Sequence, residues 1–137
     1  MSDVWSGQDL RGFDFSGMDL LGYDFSDSIL CEANFSGCRL WHSNFTSADL
    51  SYANFSNADC SAAIFNGATA PFASFRGARL SRAHMMLADF KYCDFEGATF
   101  EFAYLMESEV DYAAFDGAVF LHTGMPNGDE KSSKSED

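Results

Sequence analysis

Several kinds of residue and segment are scarce in this 137-residue chain. It has 8 basic residues against 21 acidic ones, which gives a formal net charge of -13. Phosphate repels such a surface, so the charge disfavours direct binding to nucleic acid or to an anionic membrane. No long apolar run occurs and the mean hydropathy is -0.15, which excludes a membrane-spanning helix. The first residues contain no basic stretch followed by an apolar one, so we expect no signal peptide and a cytoplasmic location.

Groups that carry catalytic or metal chemistry are also few. The four cysteines form no C-x-x-C pair, and three of them occupy positions where the repeat described below places inward side chains. The three histidines fall on outward positions, and His42 and His122, which share a column, lie four coils apart and cannot share a metal. We find no phosphate-binding glycine loop and no nucleophile with a partner base. The sequence therefore predicts a protein that is not an enzyme and holds no cofactor or metal, with Cys31, Cys38, Cys60 and Cys93 as reduced thiols.

A period of five residues runs through the chain. Every fifth residue from Trp5 to Met125 is apolar, and 14 of the 17 alanines lie two residues before one of these positions. A helix repeats every 3.6 residues and a strand every 2, so neither element fits the pattern. A chain that turns a corner every five residues does fit, with one large and one small side chain pointing inward. Four corners complete a coil of 20 residues, and such coils stack by backbone hydrogen bonds at about 4.8 Å.

The repeat has a recognisable motif. The segments ANFSG at 33–37, ADLSY at 48–52, ANFSN at 53–57 and ADFKY at 88–92 are close copies of A(D/N)LXX. Over residues 8–125 the chain resembles the pentapeptide-repeat family. The resemblance implies an all-β fold, a right-handed quadrilateral parallel β-helix of about six coils of 20 residues. Residues 1–7 would form an N-terminal cap segment and residues 126–137 a disordered acidic and polar tail.

Residues 20 apart should stack on successive coils. Phe15, Phe35 and Phe55 then begin an internal ladder that continues through Phe75, Phe95 and Phe115. A second column, from Gly17 through Gly37 and Asn57 to Gly77, Gly97 and Gly117, indicates a corner with positive φ. Large residues replace small ones only in the first coil, at Phe13, Met18 and Tyr23, and with Trp5 we interpret them as a lid. The last coil lacks an equivalent lid, so we expect either a monomer or an end-to-end homodimer.

The outward side chains carry an uneven charge. Residues 3–32 and 89–122 are acidic, whereas residues 33–88 are slightly basic. Six coils make a rod about 28 Å long, and duplex DNA of that length carries roughly 16 charges. Residues 1–125 hold 17 acids and 6 bases, a formal charge of -11, which is of the same order. The acidic residues that we expect to contact a protein partner are Asp9, Asp14, Asp19, Asp24, Asp89, Asp94, Glu96, Glu101, Glu107, Glu109, Asp111 and Asp116.

Outward aromatic residues form a second feature. Four of them lie 20 residues apart on one corner, and two more lie nearby in the sequence. Exposed apolar patches often mark interfaces, although stacking between coils could also account for them. The predicted aromatic stripe consists of Tyr52, Phe72, Tyr92, Tyr112, Phe102 and Tyr104.

Two functions fit these surfaces. Some pentapeptide-repeat proteins, the quinolone-resistance and gyrase-directed members, resemble duplex DNA and occupy DNA-binding sites of topoisomerases. The resemblance implies a DNA mimic that inhibits or protects a DNA-handling enzyme with a basic channel, either a topoisomerase such as gyrase or a phage-defence nuclease. The alternative is an interaction scaffold or regulatory module that docks a protein through the aromatic stripe, with the acidic residues providing solubility.

Overall fold

In the computed structural model, which describes residues 4–133, the chain forms stacked coils of 20 residues. Parallel β-bridges join residues 20 apart, from Val4↔Asp24 to Tyr104↔Gly124, and a bridge recurs every five residues. Each coil therefore contributes to four bridge columns. Residues 4–133 contain no α-helix. The first three residues of the predicted cap and the last four of the predicted tail lie outside the described residues.

Four short strands occur near the C-terminal end. Strand β1 (Thr99–Glu101) pairs in parallel with β2 (Val119–Leu121), in register with Phe100 opposite Phe120. Strand β3 (Thr123–Gly124) pairs antiparallel with β4 (Glu130–Lys131). Elsewhere the parallel pairing is limited to single bridges because a turn follows each one.

The turn between bridges has the same form at all four corners of a coil. Phe13 N–H donates to the carbonyl of Leu10 at 3.1 Å, with Gly12 at φ 68° as the third residue of the turn. Every fifth residue from 7 to 122 has a positive φ, and 15 of these positions are not glycine. A positive φ at the third position is typical of a type II turn. The predicted positive-φ corner is confirmed, and the other three corners use the same turn.

The large inward residues form the predicted ladder. Phe35, Phe55 and Phe75 are fully buried, with ring centroids 4.9 and 4.8 Å apart and planes within 5° of parallel. Phe45 and Phe65 meet the ring of Phe55 edge-on at 5.5 and 5.6 Å. Offset stacking along the rod and edge contacts across it fill the core with aromatic carbon.

The small inward residues close the other half of the core. They are mostly alanines, and where a hydroxyl replaces one it donates to a carbonyl: Ser43 to Leu20 O at 3.0 Å and Thr123 to Phe100 O at 2.8 Å. The Cys93 thiol points at Ala70 O at 2.9 Å, and burial raises its pKa to about 12. All four cysteines are free thiols and three are buried, as the sequence predicts.

The two ends of the stack are covered differently. At the N-terminal end, the Trp5 ring lies 5.9 Å from Phe15, and Phe13 lies 4.7 Å from the same ring, in agreement with the predicted lid. Tyr23 stacks on Phe25 at 6.1 Å. Met18 stays largely exposed.

At the C-terminal end the structure differs from the sequence-based expectation of a disordered tail. Residues 126–133 turn back through β4, and the Ser133 hydroxyl accepts a hydrogen bond from Phe120 N–H at 2.9 Å. The Ser132 hydroxyl accepts one from His122 N–H at 2.7 Å. The Lys131 ammonium lies 5.2 Å from the centre of the Phe120 ring. The Ser132 and Ser133 hydroxyls take the place of the carbonyl groups that a further coil would present to the last coil. Part of the sheet edge at the C-terminal end is therefore capped, and this end is less open than the sequence indicates. An end-to-end homodimer stays a prediction.

Candidate interaction surfaces

The most exposed aromatic feature is a stack of four rings on one corner, which we call the aromatic corner. It consists of Tyr52, Phe72, Tyr92 and Tyr112, whose successive ring centroids lie 5.1, 4.7 and 5.1 Å apart. Their planes are within 12° of parallel, and the side chains are 47–80% exposed. The stack presents a continuous ridge of aromatic edges, with the outermost face on Tyr112.

All four aromatic residues occupy the positive-φ position of their turns. Their φ angles are 61°, 63°, 63° and 62°. A side chain with a Cβ in the left-handed region costs roughly 1–2 kcal/mol, a cost that glycine avoids. The chain uses glycine at nine of these corner positions, so the bulky residues here are not required by the turn. Ring stacking offsets part of the strain while leaving the rings in contact with solvent.

The predicted Phe102 and Tyr104 do not join this stack. Phe102 lies on the opposite corner, 5.4 Å below the guanidinium carbon of Arg82 and 5.3 Å from the ring of His122. Tyr104 lies in a bridge column, where its ring stacks on His84 at 5.5 Å. The structure therefore divides the predicted aromatic stripe into a corner of four rings and two separate residues.

Many of the predicted acidic contact residues have a structural task. In the motif, the residue before the core position accepts a hydrogen bond from the backbone N–H two residues later, as Asp14 does from Ser16 at 3.0 Å and Asp24 does from Ser26 at 2.9 Å. Asp89 accepts in the same way from Lys91 at 3.0 Å. Such Asx turns fix the corner, which explains why acids and asparagines alternate in these columns. The hydrogen bonds from Ser16 lower the pKa of Asp14.

Other predicted acids are paired with the few cations. Asp9 forms an ion pair with Arg11 at 2.7 Å, and the hydrogen bonds from Arg11 lower the pKa of Asp9. Arg76 bridges Asp94, at 2.8 Å, and Glu96. Further ion pairs join Asp19 to Arg39 at 3.4 Å and Glu109 to Lys91 at 3.8 Å. Glu101 has no ion pair among residues 4–133 and instead accepts a hydrogen bond from the Ser81 hydroxyl at 3.2 Å.

Three of the predicted contact acids are exposed and have neither an ion pair nor a side-chain hydrogen bond to another residue among 4–133: Glu107, Asp111 and Asp116, on three different corners of the last complete coil. Outside the predicted set, Asp27 and Glu32 near the N-terminal end are exposed and unpaired in the same way. Asp111 precedes Tyr112 in the same turn, so carboxylate and outermost aromatic ring lie on one corner. The acidic and aromatic surfaces that the sequence treats separately meet here.

The corner opposite the aromatic one, ten residues further along each coil, has a different character. We call it the arginine corner because Arg39, Arg79 and Arg82 lie on it or in the bridge column before it. The basic waist predicted from the linear sequence is thus mainly on one side of the rod. Sequence reasoning missed this polarity because charge was counted along the chain, whereas residues 20 apart share a side.

Among residues 4–133, no group of three or more histidine, cysteine or acidic side chains is arranged to hold a metal ion. None of the described residues belongs to a helix long and apolar enough to cross a bilayer.

Comparison with known proteins gives one family and several structural neighbours. The family model for pentapeptide repeats, in eight copies, matches residues 9–42, 43–82 and 83–120. A trypsin-treated form of QnrB1, a plasmid-mediated fluoroquinolone resistance protein, superposes with a TM-score of 0.54 and 22% identity, covering 91% of this chain and 73% of QnrB1. No curated protein sequence matches the chain.

Two further neighbours are pentapeptide-repeat proteins with other backgrounds. HetL, involved in heterocyst differentiation regulation in the cyanobacterium Nostoc sp. strain PCC 7120, has a TM-score of 0.42 and 16% identity, covering 92% of this chain and 93% of HetL. A protein of the Arabidopsis thaliana thylakoid lumen has a TM-score of 0.34 and 30% identity, and the match covers 94% of this chain and 72% of the Arabidopsis protein.

Proposed function

The chain belongs to the pentapeptide-repeat family, and from that premise we propose that it is a non-enzymatic DNA mimic. Its coils would form the right-handed quadrilateral β-helix of the family. In the cytoplasm it would bind a DNA-handling enzyme and occupy a basic channel meant for duplex DNA, inhibiting the enzyme or protecting it. Because its outer side chains are the variable part of the repeat, they would carry the specificity.

The observation that supports this proposal most is the set of unpaired acids on the last complete coil. Glu107, Asp111 and Asp116 make no ion pair within the described part of the chain, so their charges are available to a partner. Acids that already bind arginine or cap a turn contribute less, because a partner would have to replace those interactions. Asp27 and Glu32 near the N-terminal end are unpaired as well, but there the most exposed ring of the chain is absent. The contact would centre on the C-terminal coil because Tyr112, which is 80% exposed, adds apolar area beside Asp111.

The size and charge of the rod are consistent with imitation of DNA. Six coils at about 4.8 Å span about 28 Å, and duplex DNA of that length carries roughly 16 phosphate charges. Up to residue 125 the chain carries a formal charge of -11. Association with a basic channel would then be fast and steeply dependent on salt.

QnrB1 makes gyrase the first enzyme to test. QnrB1 is a plasmid-mediated fluoroquinolone resistance protein. The family resemblance given above connects quinolone resistance with members directed at gyrase, a topoisomerase. A phage-defence nuclease with a basic DNA channel is the second enzyme to test.

The test is binding of the fluorescently labelled protein to purified gyrase, followed by anisotropy at 50 and 200 mM salt. We expect affinity to fall as salt rises. The double variant Asp111→Asn/Asp116→Asn should weaken binding by about 0.4–2 kcal/mol, from the range for exposed ion pairs. The control Asp27→Asn/Glu32→Gln changes the net charge equally at the N-terminal end and should have a smaller effect. Salt-independent binding, or equal losses in the two variants, would contradict the proposal.

A second function, docking of a protein through the aromatic corner, is favoured by the four exposed rings at strained φ angles. Strain retained at exposed positions often marks a functional surface. Under this scaffold hypothesis, Tyr92→Gly and Tyr112→Gly would abolish capture of a partner, and added DNA would not displace it. In the DNA-mimic proposal, the acidic variants have the larger effect.

A further inference from the structure

The arginine corner contains a cavity of about 340 Å³. It exists because residue sizes alternate along the rod. Trp41 and His42, on one coil, have large side chains, whereas Ser61 and Ala62, on the next coil, have small ones. Glu101, two coils beyond Ser61, is large again. Ser81 extends the small floor by one more coil. We call this cavity the notch; its volume lies at the lower end of the range for small-molecule sites.

One wall of the notch is a partly exposed indole ring. Trp41 is 42% exposed and its indole lies beside the carboxylate of Asp59. Burial raises the pKa of Asp59, but the hydrogen bonds from Ser61, whose hydroxyl donates at 2.7 Å, and from Trp41 outweigh that effect and lower it. The guanidinium carbon of Arg39 lies 6.0 Å from the centre of the indole. These contacts hold the ring at the edge of the notch.

Two arginines supply positive charge. Arg79 and Arg82 both line the notch, and neither forms an ion pair with another residue among 4–133. This is unusual in a chain with 21 acids and 8 bases, where four of the other cations are paired with carboxylates. Arg79 lies close enough to Asp59 to help lower the pKa of that carboxyl without forming an ion pair, and the Asp59 carboxylate already accepts from Ser61. Glu101, which also lines the notch, accepts from the Ser81 hydroxyl at 3.2 Å.

These groups together match one kind of ligand. A guanidinium pair binds a phosphate through several charge-assisted hydrogen bonds, and an exposed indole stacks on a planar base. The Ser61 hydroxyl, in the coil between Trp41 and the arginines, can accept a hydrogen bond from a sugar hydroxyl, and Glu101 lies one coil beyond the arginines. We propose that the notch binds a nucleoside monophosphate, with its base against Trp41 and its phosphate between Arg79 and Arg82.

The proposal does not depend on the DNA-mimic function. The notch faces away from the aromatic corner, and Glu107, Asp111 and Asp116 do not line it. At 0.15 M ionic strength, charges more than about 8 Å away are largely screened, so the acidic surface elsewhere does not prevent binding of an anion.

Calorimetric titration of the unaltered chain with AMP, adenosine and inorganic phosphate tests the site. We expect saturable AMP binding below about 1 mM, with adenosine and phosphate each at least tenfold weaker, because each lacks one of the two recognised groups. Equal affinity for adenosine and AMP, or no saturable AMP binding, would overturn the proposal.

Three variants locate the binding. Arg79→Gln/Arg82→Gln should weaken AMP at least tenfold, whereas Arg76→Gln, which removes a charge on another corner, should leave it unchanged. Ala62→Phe fills the notch and keeps both arginines; Phe72 and Phe102 show that the fold accepts phenylalanine at the same position of the turn. It should abolish binding while the circular dichroism spectrum is retained. AMP binding that survives Ala62→Phe in a folded protein would place the ligand elsewhere and refute the assignment.

Discussion

Replacing Tyr92 separately by alanine and by glycine distinguishes the contribution of its ring from that of its backbone. The Tyr92 ring lies 4.7 Å from Phe72 and 5.1 Å from Tyr112, and φ is 63°. Removing the ring loses two neighbouring aromatic contacts, each worth about 0.2–1 kcal/mol. Alanine keeps the strain of roughly 1–2 kcal/mol, while glycine removes it but loses about 0.5–1 kcal/mol through its freer unfolded state. Tyr92→Gly should therefore be more stable than Tyr92→Ala, by up to about 1.5 kcal/mol.

The assay is urea unfolding followed by circular dichroism, with the slope on denaturant held equal between variants. Tyr104 provides a control of opposite sign, because it is similarly exposed but lies in a bridge column without a positive φ. There alanine should be more stable than glycine by about 0.5–1 kcal/mol. If alanine were the more stable residue at position 92 as well, the aromatic rings would not be held in strained turns.

Three further predictions concern the core, the acids and the thiols. Phe55→Ala should lower the free energy of unfolding in urea by about 3–5 kcal/mol, because the buried ring has stacked neighbours on both sides. Phe115→Ala should lower it clearly less, because the Phe115 ring is only partly buried. Equal losses of stability in the two variants would contradict the ladder. Burial raises the pKa of Asp94, but the hydrogen bonds from Arg76 and from the backbone outweigh burial and lower the pKa overall. The stabilisation that the ionised Asp94 gives the fold is therefore present above its unfolded pKa of about 3.9, and it is lost as the pH falls through the lower pKa of the folded state. Asp94→Asn should flatten that part of the acid unfolding curve, and an unchanged curve would show that the pair contributes nothing. Cys93, with its pKa raised to about 12, should resist a thiol reagent at pH 8 in the folded protein and react after unfolding; rapid reaction of the native protein would contradict its burial.

The sequence predicts the coil well because the information is local and repeated. An apolar residue every fifth position and alanine two residues before it are enough to place Phe35, Phe55 and Phe75 over one another. The lid residues Trp5 and Phe13 are identifiable because they break the small-residue rule in the first coil only.

The features that the sequence does not predict depend on contacts between coils. Ser132 and Ser133 order the end of the chain by meeting backbone N–H groups of the last coil, and composition alone marks such a segment as a tail. The notch arises from the sizes of Trp41, Ser61 and Glu101 in one column, although 20 residues separate the first two in the sequence and 40 separate the last two. Both the notch and the arginine corner depend on which residues lie 20 apart and so share one side of the rod.

The central claim is that the acidic rod occupies a site meant for duplex DNA. The direct measurement is displacement: a complex of the labelled protein with gyrase is titrated with linear duplex DNA, and the bound fraction is read by anisotropy. The account predicts that DNA displaces the protein completely, at concentrations set by the affinity of the enzyme for DNA. A ternary complex, in which protein and DNA remain bound together at saturating DNA, would contradict it.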